Sequence, residues 1–127
     1  MPHKLKPMIS IVDDDESIRE ATEAQMKSLG FNAQTFPSAI DFLASSRIED
    51  TSCLFADFNM PHMTGVELHR RLLDLGYAIP TILITAYPDD DVRARALADG
   101  VICYLVKPFD EADLLHCVHL ALGDTAE

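Results

Sequence analysis

Short apolar runs and amphipathic stretches of helical period alternate five times along this chain, and that alternation restricts its fold more than any other feature. The runs fall at 7–12, 31–36, 53–56, 80–85 and 101–106. Each has the length of a strand and is too short for a buried helix. The later runs are nearly all apolar, as strands covered on both faces must be. Five β units, each followed by a helix, give a parallel sheet between two helical layers with right-handed crossovers. A chain of 127 residues is too short for a closed eight-unit barrel. The expectation is therefore an open, doubly wound α/β sheet. Periodicity does not fix the strand order. Small sheets of this kind commonly run 2-1-3-4-5, with the ligand crevice outside the carboxyl ends of strands 1 and 3.

The intervening segments carry helix start and stop signals. A first helix is expected over 16–29, with Ile18, Thr22, Gln25 and Leu29 along one stripe and Gly30 as its stop. Ser38 with Asp41 suits the start of a short second helix carrying Ile40, Phe42 and Leu43. Thr64 and Glu67 form a capping-box pattern for a third helix that ends at Gly76. Pro88 followed by three Asp residues suits the positive start of a fourth helix, closed by Gly100. A fifth begins near Asp110 and should bury Leu114, Leu115, Val118, Ala121 and Leu122.

Composition narrows the function. The hydrophobic fraction is 48%, enough for a packed core, and the formal net charge is −11. That charge argues against direct grip on nucleic-acid phosphates or an anionic membrane, both of which need clustered Lys and Arg. Cys53, Cys103 and Cys117 are odd in number and widely spaced. They read as reduced thiols of a cytoplasmic protein rather than a disulfide framework. No segment is apolar over the length of a membrane span, and no signal-peptide segment follows the basic start.

The strand ends gather the chemistry. Strand 1 ends in Asp13, Asp14 and Asp15, with Glu16 next; strand 3 ends in Asp57, strand 4 in Thr85 and Ala86, and strand 5 in Lys107 and Pro108. In a parallel sheet all these ends share one rim. Asp15 and Glu16 suit a helix cap; Asp13 and Asp14 directly adjoin the strand. Like charges ~4 Å apart repel by about 4 kcal/mol at an effective dielectric of ~20. An all-oxygen donor set of this kind suits Mg²⁺. Metal, lysine and hydroxyl together are what a transferred phosphoryl group needs. Asp57 is then the nucleophile, forming an aspartyl phosphate.

IVDDD, LFADFNMPHMTG, ILITA and YLVKPF resemble the four motif blocks of bacterial response-regulator receiver domains in order and spacing. The resemblance spans residues 8–122 and implies one flavodoxin-like (βα)5 receiver domain over 1–127. It implies Asp57 as phosphoacceptor for a sensor histidine kinase or phosphotransfer protein. It further implies Mg²⁺, or Mn²⁺, held by Asp14, Asp57 and the Asn59 carbonyl, with Asp13 acting through water. Thr85 and Lys107 would bind phosphoryl oxygens, and Tyr104 would be the switch aromatic. Asn59 and Tyr87 occupy the positions that tune phosphoryl lifetime, and the Lys107–Pro108 bond is expected to be cis. The M-P-x-M-x-G-x-E-L pattern resembles receivers that precede helix-turn-helix output domains. Such a protein is a switch rather than an enzyme with a separate substrate, and output, expected to control transcription, would lie in a further domain or a partner.

Two other functions fit less well. A hydrolase of haloacid-dehalogenase type needs a second Asp where Asn59 stands, and a cap domain. A flavin carrier needs a hydroxyl- or Gly-rich loop after strand 1, where this chain has acids. His116 and His119 flank Cys117, and Met60, His62 and Met63 follow Asp57; neither group forms a complete metal-ligand set. Arg93 and Arg95 on the fourth helix, with Asp110, Glu111, Asp113 and Leu120 on the fifth, suggest a weak phosphorylation-dependent homodimer.

Overall fold

The computed structural model describes residues 7–123. Strands β1 (Met8–Val12), β2 (Asn32–Phe36), β3 (Cys53–Asp57), β4 (Thr81–Thr85) and β5 (Cys103–Val106) alternate with helices α1 (Glu16–Ser28), α2 (Ala39–Ala44), α3 (Gly65–Asp74), α4 (Asp90–Ala98) and α5 (Glu111–Leu122). All pairings are parallel, in the order β2-β1-β3-β4-β5. The order that periodicity left open is the common one. No helix among the described residues is long and apolar enough to cross a membrane.

Alternation along the strands divides the core. Ile9, Ile11, Phe55, Ile82 and Ile84 face α1 and α5, packing with Met26, Leu114, Val118 and Ala121. Val12, Leu54 and Ala56 face the other way, against Phe42, Leu68 and Leu72 of α2 and α3. A smaller third cluster, Leu83 with Ala96 and Val101, seats α4. Phe55 meets Phe109 edge to face with ring centroids 5.8 Å apart. Full burial of one such side chain contributes about 1.5–3 kcal/mol. Among the described residues, the α1/α5 face carries the largest of the three buried clusters.

The expected caps are in place. Asp15, Ser38, Asp89 and Asp110 each accept a backbone N–H from the first turn that follows. Thr64 and Glu67 form the reciprocal capping box. Several details depart from the sequence expectation. The buried residues of α1 are Thr22 and Met26; Ile18, Gln25 and Leu29 are half-buried. Tertiary packing rotates the stripe toward the largest flexible side chain. Ile40 is 54% exposed, while Ala39 and Phe42 carry the inner face of α2. On α5 it is Cys117 that is buried, with Leu115 and Leu122 half-buried. β5 starts at Cys103 because Val101 closes the end of α4, its N–H bonding the Ala96 carbonyl at 3.0 Å.

The three cysteines are free thiols, and burial pushes the Cys53 thiol up to about 12. A thiol held protonated is a packing group rather than a nucleophile. His116 is exposed while Cys117 points inward, so the two do not share a ligand face.

Candidate functional site

Every strand end named from the sequence arrives at one crevice. Asp13 is fully buried just beyond β1. Its Oδ1 accepts the Asp15 N–H at 2.9 Å, and its carbonyl accepts from Arg19 Nη1 at 2.8 Å. Asp15 is thus committed to α1 as its cap, leaving Asp13 and exposed Asp14 to face the crevice. Asp57, 3% exposed, closes β3; its Oδ1 accepts the Asn59 N–H at 3.1 Å. Lys107 follows β5 and its Nζ donates to Asp13 Oδ2 at 3.2 Å and Asp57 Oδ2 at 3.4 Å. The lysine is a bridge between two buried carboxylates, not a side chain reaching for solvent.

Thr85 is fully buried at the end of β4. Its hydroxyl donates to Asn59 Oδ1 at 2.7 Å and accepts the Tyr87 N–H at 3.0 Å. The Tyr104 hydroxyl accepts the Asp89 N–H at 3.1 Å, so Thr85 and Tyr104 hold opposite ends of the β4–α4 loop. Tyr87 is 73% exposed. The Lys107–Pro108 bond is cis, as the sequence resemblance implied.

Burial pushes the Asp57 carboxyl above its ordinary range, and the Asp13 charge pushes the same way; the Asn59 N–H and Lys107 act in the opposite direction. The physical picture is plain. Three carboxylates, Asp13, Asp14 and Asp57, bring ligand oxygens within 4.8 Å of one another, and the one ammonium bonded to them, Lys107, cannot balance them. Excess negative charge held by two buried acids, with oxygen donors only, fits a hard divalent cation. Among the described residues no other group of three such side chains converges.

Two contributions escaped the sequence reading. Gly65, the first residue of α3, lies so close to β3 that a Cβ would sit 2.8 Å from the Asp57 carbonyl oxygen. A glycine directly after the capping Thr64, where a better helix former would serve, was the available signal. Asn59, expected to offer its carbonyl to a metal and to tune phosphoryl lifetime, also accepts the Thr85 hydroxyl through its carboxamide, a contact the sequence does not signal. One expectation changes shape. Arg95 lines a groove of about 650 Å³ between α3 and α4, together with Phe58, Val66, Arg70 and Val92. At about 100° per residue, Arg93 and Leu97 fall on the other side of α4, so of the two arginines only Arg93 points away from this groove.

An open 2-1-3-4-5 sheet with three acids and one lysine at its carboxyl edge is the build of phosphorylation-controlled signalling domains. Residues 9–119 match the model of the response regulator receiver domain. The chain belongs to that family. It is 37% identical over 115 residues to the response regulator protein TmoT of Ectopseudomonas mendocina, covering 91% of this chain and 52% of TmoT. It is 32% identical to the transcriptional regulatory protein FixJ of Azorhizobium caulinodans, covering 100% of this chain and 59% of FixJ. The crystal structure of FixJ-N matches with a TM-score of 0.85 at 31% identity, over 98% of this chain and 99% of that one. The chain spans about half the length of the curated relatives it matches.

Proposed function

We propose that Asp57 is the phosphoacceptor of a two-component switch, charged by a sensor histidine kinase or a phosphotransfer protein. The observation that carries this reading is the Lys107 bridge, which ties a buried strand-end carboxylate to a second acid within one crevice. An Asp57 carboxylate oxygen attacks the phosphorus of a phosphohistidine. The new O–P bond forms as the P–N bond breaks, and the electron pair leaves with the imidazole. Lys107 and Thr85 then donate to phosphoryl oxygens that reach the crevice. Water attack at phosphorus later returns free phosphate and the Asp57 carboxylate. Asp14, Asp57 and the Asn59 carbonyl, with Asp13 behind them, would hold Mg²⁺ or Mn²⁺, which when bound supplies positive charge against the phosphoryl oxygens.

Movement of Thr85 toward the phosphoryl group leaves space beside β4 for the Tyr104 ring, a shift between two packings. The face this remodels carries Arg93, Leu97, Leu120 and Asp113, all exposed. A second copy of the chain is the partner that suits it, and transcriptional output through a further domain suits its likeness to FixJ. Incubation with Mg²⁺ and acetyl phosphate should add one phosphoryl group by intact-mass measurement, and Asp57→Asn should add none. Equal labelling of that variant would overturn the assignment. Tyr87→Ala should lose the group faster than wild type, because a smaller side chain opens the approach of water.

A further inference from the structure

A threonine hydroxyl has a single proton to donate. In this structure that proton is directed at Asn59 Oδ1, 2.7 Å away, while the same oxygen accepts from the Tyr87 N–H. The Tyr87 carbonyl, at 3.3 Å, is a longer alternative on the same side. Asn59 at the same time grips the acceptor residue, its own N–H bonding Asp57 Oδ1. One residue therefore holds both the acceptor carboxylate, through its backbone, and the hydroxyl, through its side chain.

We infer that the Asn59 carboxamide is a positioning residue that restrains the resting state, and that the switch proceeds by breaking its bond to Thr85. This rests on the phosphoacceptor reading above and adds its regulation. The two uses of the hydroxyl exclude each other: while the proton points at Asn59 it cannot serve an oxygen on Asp57. Thr85 is fully buried and Asn59 is exposed, so on release the carboxamide finds water at once while the hydroxyl needs a new protein-side acceptor. The phosphoryl oxygen provides one. The restraint is thus weak enough to yield to a single ligand, yet biases the empty domain toward rest.

The test uses beryllofluoride with Mg²⁺, a phosphoryl mimic that does not hydrolyse, so that changes in phosphoryl lifetime do not enter. Asn59→Ala keeps the backbone N–H and carbonyl and removes only the carboxamide. It should bind the mimic about 2- to 10-fold more tightly, the equivalent of one net hydrogen bond. In a Thr85→Ala background the same change should have no effect, because the contact it breaks is already gone. The Tyr87 amide, which sits on the hydroxyl, should shift in the NMR spectrum of unliganded Asn59→Ala toward its mimic-bound position. Wild-type protein that does not bind beryllofluoride would overturn the phosphoacceptor reading itself. Normal wild-type binding with unchanged or weaker binding by Asn59→Ala, or a gain that persists without the Thr85 hydroxyl, would overturn the restraint alone.

Discussion

Replacing Gly65 by alanine adds one methyl group at the junction of α3 and the site. That methyl would lie 2.5 Å from Leu83 Cδ1 and 2.8 Å from the Asp57 carbonyl oxygen, both inside van der Waals contact. Leu83 is fully buried, so its side chain has little room to retreat. The carbonyl belongs to β3, paired with β4 through Asp57 and Ile84, and moves only with the strand. Overpacking of this sort costs about 1–3 kcal/mol. Alanine's better helix propensity returns less than about 1 kcal/mol. A net loss of about 1–2 kcal/mol lowers the melting temperature by roughly 4–8 °C for a chain of this length. Function should suffer more than stability. Any shift of the carbonyl tilts the carboxylate, and misplacement by about 1 Å can cost on the order of 100-fold in rate. Thermal melts by circular dichroism and the rate of labelling by acetyl phosphate measure the two effects. Gly76→Ala is the control, because Gly76 has φ 91° and nothing within 4 Å of a Cβ. It should lose stability through backbone strain and label normally. Wild-type melting and wild-type labelling by Gly65→Ala would refute the close-approach argument.

Two further expectations concern buried titratable groups. Because the folded Asp57 carboxyl holds its proton more tightly than the unfolded one, its contribution to stability is present below about pH 3.8 and lost as pH rises through the folded value. Asp57→Asn should therefore stabilise the metal-free domain at pH 7, by about 0.5–2 kcal/mol as is typical when functional strain is relieved. The gain should shrink on acidification, and urea midpoints in chelator would reject the idea if the variant were the less stable. His69 is 4% exposed with no hydrogen-bond partner at Nδ1, and burial lowers its affinity for a proton despite nearby Asp99, with Arg70 adding to the effect. The unfolded chain then takes up the proton first, so stability is complete above about pH 6.5 and falls below it. His69→Leu should flatten that part of the acid slope and add about 1 kcal/mol by removing an unsatisfied buried atom; an unchanged slope would exclude His69 as its source.

The fold was legible because strand-length apolar runs, caps and glycine stops agree with one another at every unit. Asp13, Asp57, Thr85 and Lys107 were legible as a cluster because parallel strands bring their carboxyl ends to one rim whatever their separation in sequence. The residues misread depend on neighbours that periodicity does not contain. Met26 rather than Gln25 fills the inner face of α1 because α1 packs on the strands at an angle set by the whole sheet. Arg95 turns toward α3 because α4 is seated by Ala96, which fixes the helix's rotation. The Asn59 carboxamide could not be oriented from sequence, since its partner lies on β4, 26 residues away.

The small cluster beneath α4 gives the domain an uneven mechanical character. Leu83, Ala96 and Val101 are its buried members, against twelve beneath α1 and α5. Helices held by few buried side chains open at lower free energy than the rest of a structure, and their amides exchange with solvent first. The loop that joins Thr85 to α4 is fastened by the Thr85 and Tyr104 hydroxyls. A pull at the crevice would therefore reach a helix held by few buried side chains, while the α1/α5 side offers the broader support.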